Sequence, residues 1–489
     1  MMSPSIEPFN EVKYKALMDG LECNEVLMSS VRQYEPFRVD SHFYEKKYAK
    51  VKSALSVFPC EFLKNLVSKP IQTGHTPSML IEEYYGGTIP LVKTNNLHEN
   101  EISTGFSHYL TPKGNTTISR TELSQDDIIT TIIGASEEIV ARSALVTKEI
   151  LPANINQNIV QIRINPRKMM PEYVNAYLNS FYGKQYLLYL SRQTEQVNLN
   201  CKEVEIVLIP EMSEKFQEKI AILSKSADEQ LEKARKTYGE CEELLGDFKE
   251  KVQDKAPVTS VKRCSESYGK SGRLDAEYYQ NKYEYYEKLL NTSETVKSLC
   301  EVHDRTFVPK ENEEYRYIEL SNVGSVGEIS GVDTVVGINL PSRARRKVKK
   351  GQVLVPSVEG SLQSCALITN DFDECLCSTG FYVLDSNQIN SETLLVLFKS
   401  NAIQSLMKQR CSGTILAGIT KDELLSMPLP KIDDELQKRI ANKVQHSFEL
   451  RARAKQLLED AKCAVEMAIE QGEDIALKWL ESKMMPEEV

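Results

Sequence analysis

The chain has 489 residues, and no run in it approaches the roughly 18 consecutive apolar residues that a membrane span requires. Met1-Met2-Ser3-Pro4-Ser5 lacks a basic segment followed by an apolar core, so no secretory signal is expected and the cytoplasm is the expected compartment. There are eleven cysteines but no C-x-x-C pair; Cys375-Leu376-Cys377 comes nearest. An odd, scattered set fits reduced thiols better than a disulfide framework. Cys365, Cys375, Cys377 and Cys411 also lack the usual spacing of zinc ligands.

Catalytic motifs are missing as well. No G-x-x-x-x-G-K-[ST] phosphate loop exists. Gly269-Lys270-Ser271 ends like one, but Cys264 stands where the first glycine belongs and no apolar strand precedes it, so a plain loop is expected. The six histidines (His42, His75, His98, His108, His303, His446) show no metal-ligand spacing, and there is no H-E-x-x-H. Neither N-P-P-[YF], D-P-P-Y nor F-x-G-x-G occurs, so the chain is not expected to methylate DNA itself. A non-catalytic protein without cofactor or metal is the resulting expectation.

What is present is ordinary in bulk and unusual in order. Apolar content of 41% and charged content of 27% describe a globular protein long enough for two or three domains. The net charge of −10 is unevenly spread. Residues 31–210 carry 19 basic and 18 acidic groups, and residues 256–430 carry 20 and 22, so the excess acid lies elsewhere. Near-neutral segments of this kind leave room for a one-sided basic face.

The chain repeats itself. Arg38-Val39-Asp40-Ser41-His42-Phe43-Tyr44-Glu45-Lys46-Lys47-Tyr48 returns as Arg273-Leu274-Asp275-Ala276-Glu277-Tyr278-Tyr279-Gln280-Asn281-Lys282-Tyr283. Ile209-Pro210-Glu211-Met212, with Gln217 and Ile220, returns as Leu429-Pro430-Lys431-Ile432, with Gln437 and Ile440. Asp40 with Glu45-Lys46-Lys47 has the look of a nuclease D…E-x-K pattern. The second copy replaces Glu45 by Gln280 and keeps Arg, Asp, Tyr and Lys, which suits a structural clamp.

These landmarks divide the chain into a helical lead-in (1–30), a first domain (31–210), a long helix (211–255), a second domain (256–430) and a second long helix with a tail (431–489). The lead-in is marked by Val12, Ala16, Leu17, Leu21 and Val26. Both domains read as α+β. Short β-rich runs (Ile89 to Val92, Ile128 to Ile133, Ile159 to Ile164; Tyr317-Ile318, Val353 to Val355, Phe381 to Leu384) alternate with turns. A helix is expected over Glu172 to Arg192, opened by Pro171, and another over Glu392 to Arg410.

From Ser213 apolar residues recur at spacings of four and three, through Phe216, Ile220, Leu223, Ala227, Leu231, Ala234, Tyr238, Cys241, Leu245, Phe248 and Val252, with Pro257 as the exit. About forty residues of such helix would be roughly 60 Å long, and the narrow seam suits a coiled coil. The second tract opens near Asp434, and Ala454, Leu458, Ala461, Val465 and Ala468 follow the first seam by 220 residues. Packing the tracts antiparallel, with Leu231, Tyr238, Leu245 and Phe248 facing a seam of Leu458, Ala461 and Val465, gives a pseudo-twofold arrangement with the two domains at opposite ends.

Two polar surfaces are candidates for nucleic acid. Arg343, Arg345, Arg346, Lys347, Lys349 and Lys350 form the densest basic run, either a solvated face or a set of phosphate contacts. Lys93, Thr94, Asn95 and Asn96 follow a strand, and Ser321 and Asn322 answer them in the second copy; Arg142 joins the basic candidates. Asn pairs bidentately with adenine and Lys or Arg with guanine, while turn-forming Asn is the competing reading.

Taken in order, these residues resemble the specificity (S) subunits of type I restriction–modification systems. The likeness rests on the R-[VL]-D-x-x-[FY]-Y openings and on the turns Val92 to Asn96 and Ile318 to Asn322. It rests further on Ser412-Gly413-Thr414…Leu424…Met427-Pro428-Leu429-Pro430 running into Gln437 and Ile440. The first copy departs from it, with Arg192-Gln193-Thr194 in place of Ser412-Gly413-Thr414, and with Ser224 and Lys225 in the apolar run. The resemblance implies two target-recognition domains on paired helices, each reading half of a split DNA site. It also implies partners: double-stranded DNA, DNA adenine methyltransferase subunits (two of them) and restriction/translocase subunits. A coiled-coil scaffold that binds protein as a DNA mimic, and the specificity subunit of a related system without a translocating nuclease, are the alternative expectations.

Overall fold

In a computed structural model, residues 9–21, 25–32, 38–103, 105–193, 196–249, 260–329, 331–413 and 417–484 are described. Val252, Pro257, Thr194 and Thr414 lie outside them. The chain divides into two compact units, Met1–Asp228 with Ala454–Val489, and Glu229–Arg453. The division crosses both long helices instead of falling at their ends, so each unit is a mixed α+β head with one end of each helix.

The first unit's head holds a four-stranded antiparallel sheet in the order Gln72–Thr73, Ile159–Ile162, Ile128–Thr131, Ser143–Leu145. Beside it Tyr85–Val92 pairs parallel with Asn154–Ile155 and antiparallel with Tyr109–Leu110. Val92, Leu97, Ile129, Ala144, Ile155 and Ile159 fill the space between. The second unit repeats the plan. Its four-stranded order is Glu301–Val302, Phe381–Asp385, Val353–Pro356, Ala366–Leu367, all antiparallel. Glu314–Ile318 pairs parallel with Leu376–Ser378 and antiparallel with Asp333–Val336. Ala344–Lys347 adds a fourth, bulged strand on Leu376–Ser378.

Each expected head helix is two. Pro171–Asn179 and Phe181–Leu190 break at Ser180; Ser391–Lys399 and Asn401–Arg410 break at Ser400, the position 220 residues on. Both serines take extended backbone angles (φ −67°, ψ 160°; φ −65°, ψ 148°). Their hydroxyls donate back to Tyr177 and Leu397 and accept the N–H of Gly183 and Ile403, so one residue ends a helix and caps the next. The apolar pattern continues through the break because both halves are buried, and periodicity alone therefore misses it.

The first long helix is Glu214–Leu244, shorter than expected: Gly246 at φ +61° turns the chain out of the helix. The second is Asp434–Gln471; Gly472 at φ +97° separates it from Glu473–Met484. The helices are antiparallel within each unit. In the second, Ser447 Oγ donates to the carbonyl of Ala234 at 2.8 Å, Lys443 pairs with Glu240, and Cys241 lies against Ile440. In the first, Ser213 at the start of one helix bonds Glu473 just past the end of the other, and Phe216, Ile220 and Ala227 are buried, as are Ala461, Val465 and Ala468. Tyr238 and Leu245 are buried in the second unit's core with Ile440 and Val444, and Phe248 packs against them; Leu231 and Leu458 are half-buried. Residues 220 apart are thus equivalent positions in the two units, and the partners of Ala234–Cys241 are Ile440–Ser447.

Other expectations are corrected. In the lead-in, Glu11–Met18 is a helix capped by Asn10, but Val12, Leu17, Leu21 and Val26 are exposed and join no core. Tyr268–Ser271 is a single helical turn closed by Gly272 at φ +68°, not a loop.

Candidate nucleic-acid interface

The duplicated opening signature is a clamp. Arg38 forks Asp40 through Nε and Nη2, both at 2.9 Å, and donates from Nη1 and Nη2 to the carbonyls of Leu190 and Ser191 at 2.8 Å. Arg273 forks Asp275 at 2.8 and 2.7 Å and reaches the carbonyl of Cys411, the counterpart of Ser191, at 3.0 Å. Each guanidinium lies over the signature aromatic, Phe43 at 4.3 Å and Tyr278 at 4.4 Å. The following tyrosine, Tyr44 or Tyr279, donates to the arginine's carbonyl at 2.9 Å. Planar, five-donor Arg is the side chain that meets all these partners at once. The fork holds Asp275 below the ordinary carboxylate range, and the Arg38 fork lowers Asp40 against the opposing effect of burial.

Glu45 is no metal ligand in this setting: it pairs with His42 Nδ1 at 3.1 Å and Lys47 at 2.9 Å. His42 also contacts the Leu188 carbonyl through Nε2 at 2.9 Å and the Tyr48 hydroxyl at 3.0 Å. In the second unit the pair His42/Glu45 becomes Glu277/Gln280, and Tyr283 donates to Glu277 at 2.6 Å. A different set of groups serves the same tie.

The asparagine turns carry a second frame. Thr94–Asn96 and Leu320–Asn322 are single 3₁₀ turns, each leaving the strand that begins at Tyr85 or Glu314. Asn96 Oδ1 accepts the Lys93 N–H at 3.2 Å and its Nδ2 donates to Gly105 at 3.2 Å; only 1% of the residue is exposed. Asn322 Oδ1 accepts the Glu319 N–H at 2.7 Å. Asn96 is therefore a turn-closing group and not a base reader, since both ends of its amide are used inside the fold. Asn95 and Ser321 stand exposed at the same turns. Lys93 Nζ lies 2.8 Å from His108 Nδ1, which must accept, so His108 is neutral there; burial and Lys93 both lower its pKa. The Thr94 hydroxyl is buried with no hydrogen-bond partner among the described residues. Arg142 is half-buried, with Nε donating to Glu138 at 2.8 Å.

The basic run does not act as one patch. Ala344–Lys347 is an edge strand, so its side chains alternate, with Ala344 inward. Arg343, Lys349 and Lys350 are exposed, and the backbone N–H groups of the two lysines donate to Gln352 and Asp373. Lys347 is paired with Glu374. Arg345 and Arg346 are half-buried; Arg346 lies 5.6 Å from the Tyr382 ring centroid, and its Nη1 is buried without a hydrogen-bond partner among the described residues. Among the described residues the first unit has no strand at this sheet edge.

No protein-family model matches the chain. Among solved structures it is similar to the S subunit of a type I restriction–modification system from M. genitalium, at 14% identity over 88% of this chain and 97% of that one, with a TM-score of 0.32. It is similar to the HsdS subunit from Thermoanaerobacter tengcongensis at 14% identity, over 85% and 97%, with a TM-score of 0.29. A chain from a structure of assembly and conformational transition in a type I R-M system matches at 15% identity, over 85% and 98%, with a TM-score of 0.28. At those values the similarity adds nothing to what the residues themselves show.

Sequence reasoning missed the glutamines as anchors. Gln217 and Gln437 were visible only as repeated letters; in the fold each ties the head's split helix to a long helix. Their signal was the repeat itself, since an amide kept in both copies at a helix start has backbone to bind.

Proposed function

We propose that this protein is a non-catalytic DNA-specificity subunit of the restriction–modification kind, with each unit reading one half of a bipartite target for partner methyltransferase subunits. One observation carries the reading: the two units share a frame residue for residue, while their polar edges differ. Arg–Asp clamps, split helices, asparagine turns and glutamine ties recur, whereas the basic edge strand Ala344–Lys347 belongs to the second unit alone among the described residues. A common frame with divergent edges is what two readers of different sequences need. Requiring both half-sites multiplies specificity. Phosphate contacts from Arg343, Lys349 and Lys350 would position the second unit, and the exposed Asn95 and Ser321 would meet base edges. Swinging an adenine out of the duplex for methylation would be the partner's work. Restriction/translocase subunits complete the assembly in this reading.

The test is retention of a split-site duplex by the chain bound to its methyltransferase, across a salt series. Sequence-dependent retention that falls with salt is expected; binding indifferent to sequence would sink the proposal in favour of a protein-binding scaffold, to which the net charge of −10 lends some weight. Mapping methylated bases with and without the gene would supply the target.

A further inference from the structure

Three side chains that the sequence scatters meet on one face of the second unit's sheet. Glu301–Val302 runs antiparallel to Phe381–Asp385, with Glu301 opposite Asp385 and Val302 opposite Leu384. His303 continues the ladder, its N–H donating to Val383 at 2.8 Å. Strand alternation then puts positions 301, 303 and 385 on the same face. The ligand atoms of Glu301, His303 and Asp385 all lie within 4.8 Å of one another. His303 Nε2 is 2.7 Å from Asp385 Oδ2, and the buried Gln352 directs its Nε2 to the same oxygen at 3.5 Å while its Oε1 accepts the Lys349 N–H.

The first unit shows what this place looks like when it is closed from within. Ile128 faces Ile162 there as Val353 faces Leu384 here, so Asp127 and Arg163 stand where the second unit has Gln352 and Asp385. Arg163 forks Asp127 at 2.6 and 2.8 Å, and the acid is satisfied. The second unit has lost the arginine and gained carboxylates. Among the described residues no lysine or arginine lies within ion-pair distance of Glu301 or Asp385. His303 stands where the first unit has Gln72, and Glu301, opposite Asp385, stands where the first unit has Ser68, whose N–H donates to the carbonyl of Arg163.

We propose that Glu301, His303 and Asp385 form a site for a divalent cation of the zinc class. One imidazole and two carboxylates make a borderline nitrogen–oxygen set, which suits zinc better than calcium or magnesium, whose sites are built from oxygens. Bonds of about 2.0–2.2 Å in tetrahedral geometry bring ligands to roughly 3.4 Å apart. Rotation of the exposed Glu301 closes that gap, and water takes the fourth position. The cation staples a two-residue edge strand to the sheet. Gln352 orients the Asp385 carboxylate, the part an outer hydrogen-bond partner plays at a metal.

The experiment is isothermal titration of the metal-stripped full chain with zinc chloride, with thermal unfolding alongside. One binding event per chain and a raised unfolding midpoint are expected. Both should weaken at least roughly tenfold in His303→Ala and in Asp385→Asn, with the metal-free midpoints unchanged. Absence of zinc binding, or binding untouched in both variants, overturns the site. So does a cobalt spectrum showing thiolate charge transfer, because it would place the metal on cysteine. Arg163→Ala in the first unit should leave the titration unaltered.

Discussion

Gln437 accepts the backbone N–H of Asn390 at 2.7 Å, and its own carbonyl accepts from the Asn390 side chain at 3.0 Å. Asn390 is the N-cap of Ser391–Lys399, so one residue near the start of a long helix fixes the start of the head's split helix. The Gln437 amide also donates to Gln388 and Ile432. Gln217 repeats the tie to Met170 at 3.0 Å and to Met212 at 2.9 Å, with fewer bonds. Replacing Gln437 by Leu leaves a largely buried N–H and two carbonyls unmet, at a cost of about 2 kcal/mol. Hydrogen exchange across Asn390–Leu394 should accelerate accordingly, and Gln217→Leu should do less at Met170–Val174. Equal effects would contradict the difference in bonding.

The two arginine clamps differ in burial. The Arg38 side chain is 9% exposed, while that of Arg273 is 19% exposed. Lysine cannot fork a carboxylate and reach two carbonyls together. Arg38→Lys should cost about 3 kcal/mol and Arg273→Lys about 1–2 kcal/mol, because charge-assisted bonds weaken as water reaches them. Proteolysis rates of each unit report the difference.

Acid should loosen the first unit before the second. Burial lowers the pKa of His98, with Arg142 adding to it, and burial with Lys93 lowers that of His108. A histidine depressed in the fold favours the neutral form, so its stabilisation is present above the usual 6.5 and is lost as pH falls below it. Protonating His108 also removes the acceptor that Lys93 uses. Exchange protection around Leu97–Ile102 should fall on acidification below about pH 6.5. The double variant His98→Gln, His108→Gln should flatten that fall; an unchanged pH profile would count against both assignments.

Much of the frame was legible because repetition marks it. The clamp, the asparagine turns and the antiparallel helices follow from letters kept in both copies and from spacings of four and three. What was not legible depends on depth and on long-range meeting. The breaks at Ser180 and Ser400 lie inside continuous apolar patterns, and the two readings of Asn96, base reader or turn former, are separated only when the turn is seen to use both ends of its amide. The basic run looks uniform from Arg343 to Lys350, yet strand alternation and Glu374 sort it into free and engaged charges. Glu301 and His303 are separated from Asp385 by more than eighty residues, so no local spacing announces them.

That sorting of the basic run has its own consequence. If the second unit grips phosphate, Lys349→Glu with Lys350→Glu should weaken DNA binding and reduce the salt dependence by about 0.9 in log–log slope for each phosphate no longer neutralised. Lys347→Glu should do less, because its ammonium is already committed to Glu374. Anisotropy titrations of the methyltransferase-bound protein at several salt concentrations measure both quantities. A larger effect at Lys347 than at Lys349 and Lys350 together would put the phosphate surface elsewhere.

Two helical glycines should answer the same substitution with opposite signs. Gly183 follows the Ser180 break, and a Cβ there would meet the Tyr177 carbonyl oxygen at 2.0 Å and the Leu178 Cα at 2.8 Å. Both are backbone atoms of the preceding helix, so nothing can swing aside, and the two halves must part to admit a methyl group. Gly239 lies in the first long helix, where a Cβ would have nothing within 4 Å, and its backbone angle is helical. Gly183→Ala should therefore cost about 1–3 kcal/mol by overpacking, while Gly239→Ala should add about 0.5–1 kcal/mol through helix propensity. Thermal midpoints of the two variants should move in opposite directions; a neutral Gly183→Ala would mean that the serine-capped break is loose enough to absorb a methyl group, and that the close approach of the two half-helices is not what fixes their angle.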